Sequence, residues 1–250
     1  MRKIFRILVL VVFGVIVGMI FYEAIMFVRV YRLRSNNPGS TSLMSIRAKE
    51  AQAKGQPVKF EQTWVPLEKI STNLQRAVLA GEDTNFVTHG GFDYEAIQKA
   101  WEHAQRETAR EAKEQGENDD WLPSLPEFKR GGSTISQQLA KNLYLSSDRS
   151  FIRKGQEAAL TVMLERSLDK RRILEIYLNV IEWGDGVYGA EAASRRYFRK
   201  PASALNANEA AFLSAMIPNP RTVFNPQVNP RRVARRQRII MRGMPYVKLP

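Results

Sequence analysis

The chain has 250 residues, 44% of them hydrophobic, enough for one domain with a sizeable core plus appendages. Its formal charge of +13 points to an anionic partner: nucleic acid, acidic lipid headgroups or a phosphorylated substrate. No cysteine is present, which excludes disulfides and thiolate metal sites, and His89 and His103 alone cannot build a centre of three histidines.

The first element bears on the compartment. Ile7 to Tyr22 carries no charge and, with Glu23 tolerated, the apolar run reaches Val28. A bilayer core about 30 Å thick needs roughly 20 such residues. The run ends in Met26-Phe27-Val28 without a small-residue cleavage pattern, so it is expected to stay as an anchor. Glu23 falls near the interface in that register. Arg2, Lys3 and Arg6 before the span are balanced by Arg29, Arg32 and Arg34 after it, so charge alone leaves the orientation open.

We read residues 1–34 as the anchor with its flanking basic residues and 35–66 as a connector. Ser35-Asn36-Asn37-Pro38-Gly39-Ser40 has loop chemistry, and an extended piece lies around Phe60 to Val65. The main domain, 67–250, opens with a helix over Leu67 to Leu79, which Ser71 can cap in a shortened form. Gly81-Glu82-Asp83 follows, then a glycine-rich loop with Phe86, His89 and Phe92. A solvated helix end is the plain reading of the two acids, but the helix dipole disfavours acids there. Asp93 caps a helix from Tyr94 to about Arg110, with Ile97, Ala100, Trp101 and Ala104 inward. Residues 102–130 form a charged, Pro-broken stretch read as a mobile insertion.

Gly131-Gly132-Ser133-Thr134 then breaks the chain and caps a helix whose Ile135, Leu139 and Leu143 share one apolar face. Gln138 and Asn142 lie on another face, flanked by Gln137 and Lys141. A helix start of this composition with a lysine nearby suits an anion or phosphate, although many helices begin with Ser or Thr for stability alone. Asp148 or Ser150 caps Phe151 to about Leu168, where Ala158, Val162 and Leu168 are among the apolar positions. On that helix Glu157 stands i+4 from Arg153 and i+3 from Lys154, at least an ordinary ion pair. Asp169 caps Lys170 to Ile181, with Ile173, Ile176, Tyr177 and Val180 as its stripe. Gly184-Asp185-Gly186 is a turn, Ala190 to Phe198 a helix, and Asn206 to Glu209 a capping box for Ala210 to Ile217. Arg231, Arg235, Arg238 and Arg242 fall on one helical face, suited to anionic headgroups or to solvent. The elements predict a mostly α domain, with no P-loop, dinucleotide fingerprint or zinc spacing.

Five stretches carry a resemblance. GEDTNFVTHGGFD at 81–93, GGSTISQQLAKN at 131–142, RKGQE at 153–157, KRRILEIYLN at 170–179 and GDGVYGAEAASRRYF at 184–198 are similar to the peptidoglycan glycosyltransferases of family 51. They resemble its monofunctional biosynthetic transglycosylases in particular, since the chain ends at Pro250 with no room for a transpeptidase domain. The resemblance implies a lysozyme-like α fold on one transmembrane helix, anchored in the bacterial inner membrane with its catalytic domain in the periplasm. It implies polymerisation of lipid II into glycan strands with inversion and release of undecaprenyl pyrophosphate. Glu82 matches the family's general base and Glu157 its second carboxylate. Lys141, Arg149 and Lys154 match cations at the pyrophosphate, Arg153 joins them among the substrate-binding residues, Ser133, Gln137 and Asn142 line the cleft, and Asp83, Phe86 and His89 fall in the first motif beside the substrate. No cofactor is required, and a divalent cation stays possible. Partners are lipid II, the growing strand, membrane lipids and other cell-wall synthesis proteins, with no nucleic acid. The stretch from Glu102 to Arg130 departs from the family pattern in length and charge.

Two other functions are weighed. A lytic muramidase of related fold would also use one Glu, but a neutral glycan does not require the cations Lys141, Arg149, Arg153 and Lys154. A membrane-anchored basic scaffold or nucleic-acid binder lacks any recognised nucleic-acid motif, and the motif cations sit near acids rather than between aromatics.

Overall fold

The computed structural model describes residues 2–99, 101–102, 105–106, 133–146 and 150–250. Helix α1 (Arg2–Tyr31) is apolar on all sides, as a lipid-facing helix is. Its most apolar window has a mean hydropathy of 2.9 and none of it is buried by protein, so by length and composition it can cross a membrane. Only its last turns join the domain. Met26 and Val30 are buried where α1 packs on α5 (Phe151–Ser167), and Arg34 Nε donates to the Ser167 carbonyl at 2.6 Å. Arg172 holds the same junction from the other side, donating to the carbonyls of Leu33 at 2.8 Å and Asn36 at 3.0 Å.

The segment read as a connector is folded. Helix α2 (Ser42–Ala53) starts at Thr41, whose hydroxyl accepts from Met44 N, and packs on α4 (Ile135–Tyr144). Arg47 on α2 reaches Glu182 at 3.0 Å, and Arg221 reaches Glu50 at 2.9 Å. Strand β1 (Glu61–Gln62) then pairs in parallel with β3 (Val187–Tyr188), which runs antiparallel to β2 (Glu182–Gly184). The β2–β3 turn needs glycine at 186: φ is +75°, and a Cβ there would meet the Lys59 carbonyl oxygen at 2.8 Å.

Helix α3 (Thr72–Glu82) takes the shortened form capped by Ser71, after a single 3-10 turn at Leu67–Lys69, and it runs on through Glu82. Leu74, Ala77 and Val78 face α8 (Ala207–Met216) and α9 (Pro230–Gly243). Gly81 lies where those helices approach: a Cβ would meet Ser214 Oγ at 2.8 Å and Ile240 Cδ1 at 3.1 Å. Helix α6 (Lys170–Val180), capped by Asp169, buries Ile173, Ile176, Tyr177 and Val180, and α7 is Ala190–Phe198. The Asn206–Glu209 capping box forms at the start of α8.

Three expectations need correction. Val162 is 42% exposed; α5 turns Glu157, Leu160, Thr161 and Leu164 inward instead, and the acid can be buried because cations pair with it. Ile97 is only half-buried and Trp101 is exposed on the helical stretch beginning at 94, which Asp93 does cap. Leu67 and Ile70 precede α3 rather than belonging to it, although both are buried. The 102–130 insertion, Ala100, Gly131, Gly132 and Asp148 lie wholly or largely outside the described residues.

Candidate active site

Glu82 is the last residue of α3, and the chain leaves the helix at Asp83. Asp83 turns away from the cleft: its Oδ2 accepts from Ile135 N at 2.9 Å, the first amide of α4, and its Oδ1 lies 2.9 Å from His89 Nε2. His89 Nδ1 accepts from Gly91 N at 3.1 Å, so Nε2 carries the ring proton and donates to Asp83. Phe86 is buried beneath Lys170, whose Nζ sits 4.5 Å from the ring centroid. Thus Asp83 and His89, expected at the substrate, fasten the loop after Glu82 to the start of α4, and Phe86, expected there too, is buried against Lys170 of α6.

The same contacts revise the expectation of an anion at the α4 N-terminus. Ile135 N is taken by Asp83, and Gln137 N by the Thr134 hydroxyl, which also donates to the Gly91 carbonyl at 2.7 Å. Protein acceptors therefore occupy two of the amides a bound anion would use. Attraction for anions falls instead to side chains further along α4 and on α5.

Those side chains line a pocket of about 150 Å³, formed by Ser133, Gln137, Gln138, Lys141, Arg153, Lys154 and Glu157. It is smaller than the roughly 300–1,000 Å³ that encloses a drug-sized ligand, and suits one polar group of a larger substrate. Glu157 is buried, with Arg153 at 2.9 Å and Lys154 in contact. Lys141 projects from α4 toward them; desolvation lowers its pKa, Arg153 and Lys154 lower it further, and Glu157 opposes them. Asn142 is half-buried on α4 outside this lining, and Arg149 lies outside the described residues.

Glu82 adjoins the pocket through Gln138, whose Nε2 donates to Glu82 Oε2 at 2.9 Å. The Gln138 carbonyl accepts from the hydroxyl of buried Tyr177 at 2.9 Å, which fixes the amide's orientation. From the other side Arg236 Nη2 donates to Glu82 Oε1 at 2.7 Å and to the Gly81 carbonyl at 2.8 Å. Burial raises the Glu82 pKa above the ordinary glutamate value; Arg236 and Gln138 pull it back and Asp83 adds to the rise. Arg236 and Tyr177 are site residues that sequence reasoning missed. A signal for Arg236 did exist, because Val233, Arg236 and Ile240 stand at i, i+3 and i+7, and the two apolar members are buried.

A larger cavity of about 260 Å³ lies between α2 and the β2–β3 turn and shares no lining residue with the first. Its Arg47, Lys59 and Arg221 are already paired with Glu182, Glu50 or Asp185. The Glu82–Glu157 cleft, which holds the motif residues, is the candidate active site. Among the described residues, no three or more His, Asp or Glu gather as a metal site.

A buried carboxylate next to a cation-lined pocket is the candidate site, and comparison with relatives gives the class of enzyme. A protein-family model described as Transglycosylase matches residues 49–116 and 122–245. Over 245 residues, 98% of this chain and 99% of the other, the protein is 45% identical to a biosynthetic peptidoglycan transglycosylase of Chromobacterium violaceum. It is 44% identical over the full length of both chains to one of Thiobacillus denitrificans. Over 86% of this chain and 84% of the other it is 49% identical to one of Aromatoleum aromaticum. The chain belongs to the transglycosylase family: it is a peptidoglycan glycosyltransferase with the lysozyme-like α fold and an N-terminal helix that fits a transmembrane anchor.

Proposed function

We propose that the protein polymerises lipid II by inverting glycosyl transfer, from the outer face of the bacterial inner membrane, releasing undecaprenyl pyrophosphate. The GlcNAc 4-hydroxyl oxygen of the acceptor attacks the anomeric carbon of the donor MurNAc. Its proton passes to Glu82 while the bond from that carbon to the diphosphate oxygen breaks, and the electron pair leaves with the diphosphate. Lys141, Arg153 and Lys154, joined by Arg149, neutralise the departing charge, and Glu157 keeps these mutually repelling cations in order. Ser133 and Gln137 line the same pocket as Lys141, Arg153 and Lys154, and Asn142 borders the cleft from α4. Asp83, Phe86 and His89 serve by holding Glu82 in place. The side-chain cations supply positive charge at the diphosphate, so no cofactor is required, and a divalent cation stays possible there.

The observation that carries this reading is the start of α5. Phe151 is 96% exposed and Ile152 78% exposed, directly before Arg153 and Lys154, on the helix against which the anchor packs. Apolar groups that seek lipid beside cations that seek phosphate match a lipid-linked diphosphate, whereas a soluble glycan needs neither. Membrane lipids, lipid II and the growing strand are therefore the partners, and other cell-wall synthesis proteins fit a membrane-held polymerase. The test is incubation of the full chain with lipid II in detergent or nanodiscs. Polymer with β-linked sugars and one undecaprenyl pyrophosphate released per bond is expected. Cleavage of finished glycan strands in place of polymerisation, or no turnover, would overturn the proposal.

A further inference from the structure

Helix α9 carries six arginines. Arg231, Arg232, Arg235, Arg238 and Arg242 are exposed, and Arg236 alone turns toward the cleft. Its side chain is 26% exposed and its guanidinium lies over the Phe224 ring, 5.5 Å from the centroid. One nitrogen bonds both the Gly81 carbonyl and Glu82 Oε1, while Nε is buried without a partner. A buried donor left unpaired costs free energy, so the position is dictated by Glu82 rather than by the arginine's own satisfaction.

The consequence lies in how the two carboxylate oxygens differ. Oε1 receives a charge-assisted bond from Arg236, the stronger kind, whereas Oε2 receives a neutral amide from Gln138, a pocket residue. An ionised carboxylate has about four acceptor positions, so Oε2 keeps a lone pair on the side where substrate enters. We infer that Arg236 is a positioning residue for the transfer reaction: by gripping Oε1 it aims the Oε2 edge of Glu82 into the cleft and keeps that carboxylate able to take a proton. The inference rests on the reading of Glu82 as the general base. Burial works against an ionised Glu82, and Arg236 is the largest influence opposing it; Gln138 assists, Asp83 opposes, and Lys141 on α4 and the Tyr177 hydroxyl on α6 also interact with the carboxylate.

The experiment is a pH–rate profile with lipid II for full-length wild type, Arg236→Gln and Arg236→Lys, each checked for its helical circular dichroism and thermal midpoint. Arg236→Gln is expected to lower kcat at neutral pH by about tenfold or more, given that 1 Å of misplacement can cost about 10²-fold. Its acid limb should move upward by about one pH unit, the effect of losing an opposite charge at contact distance. Arg236→Lys should return the limb most of the way. A folded Arg236→Gln enzyme with its acid limb at the wild-type position overturns the inference. Should Arg236→Gln not fold, Phe224→Leu, which removes the stacked ring, is expected to move the limb in the same direction by less, and an unmoved limb there overturns it equally. Glu82→Gln run alongside separates the two ideas. If it is inactive while the Arg236→Gln limb stays put, this inference alone fails; if it turns over like wild type, the base assignment fails first.

Discussion

The two carboxylates of the cleft are equally sheltered, with side-chain exposures of 8% for Glu82 and 5% for Glu157, yet they are held in opposite ways. Glu157 draws its partners, Arg153 and Lys154, from the preceding turn of its own helix. Glu82 draws Gln138 from α4 and Arg236 from α9, 56 and 154 residues away in the chain. Around Glu157 three cations, Lys141, Arg153 and Lys154, face one acid, so that end of the pocket stays positive after internal pairing. Around Glu82 one cation and one neutral amide face a carboxyl that burial disposes to hold a proton. On the proposed reading one residue type serves as proton acceptor at one end and as organiser of positive charge at the other, because the environment and not the side chain sets the role.

The largest effect should come from the proton-handling half. Glu82→Gln keeps the shape and the Gln138 contact while removing the base, and is expected to lower kcat by about 10²–10⁴-fold. In the wild type, activity should rise with pH through a limb above the ordinary glutamate range, because Glu82 must be ionised to act and burial raises its pKa. Steady-state kinetics across pH measure both. A Glu82→Gln enzyme that keeps this limb would assign the titrating group to another residue and break the comparison.

The charged half should show smaller effects that follow binding. Lys141→Ala is expected to weaken a non-reactive pyrophosphate analogue and to lower kcat/KM by about 10²-fold, as for loss of one donor to a developing charge. Glu157→Gln should act on the same step, through the cations it orders. A second limb should appear on the alkaline side, where Lys141 loses its proton below the ordinary lysine range, and activity falls as pH rises through it. Since Glu157 is the largest influence raising that pKa, Glu157→Gln should move the alkaline limb to lower pH and leave the acid limb alone. Isothermal titration with the analogue, joined to the pH profile, decides it. Movement of the acid limb instead would mean that the two halves are not separate.

The same contrast explains what could be read from the sequence. The ion pairs of Glu157 follow from i+3 and i+4 spacing, and the caps at Ser71, Thr134, Ser150, Asp169 and Asn206 follow from residue type at a helix boundary; all form as expected. The motif positions Ser133, Gln137, Lys141, Arg153, Lys154 and Glu157 do converge on one pocket. Periodicity, however, reports only which face of an element is buried, not what it meets. It could not reveal that Asp83 would occupy the first amide of α4, that Tyr177 would orient Gln138, or that Arg236 would reach Glu82. Helix α2 escaped notice because its sequence has no apolar stripe; Met44 is its one buried residue and ion pairs hold much of the rest. The three short strands are too brief to display alternation.

The smallest expected effects compare the two helix caps on which the halves are mounted. Thr134 caps α4 within a full capping box, is buried, and also donates to the Gly91 carbonyl, tying α4 to the loop after Glu82. Ser150 caps α5 with one bond to Arg153 N at 3.2 Å and is exposed. Replacing a cap by alanine costs about 0.5–2 kcal/mol, and an unpaired buried acceptor adds to that. Thr134→Ala is therefore expected near the upper end and Ser150→Ala near the lower. In a chain of this size about 1 kcal/mol lowers Tm by roughly 2–4 °C, so thermal unfolding resolves the two. Activity should divide along the same line. Thr134→Ala loosens the loop that aims Glu82 and should lower kcat, whereas Ser150→Ala leaves Arg153 and Lys154 paired with Glu157 and should hardly alter it. Equal losses of stability and kcat in the two variants would mean that the Glu82 half depends on its cap no more than the Glu157 half does, against the long-range contacts that distinguish it.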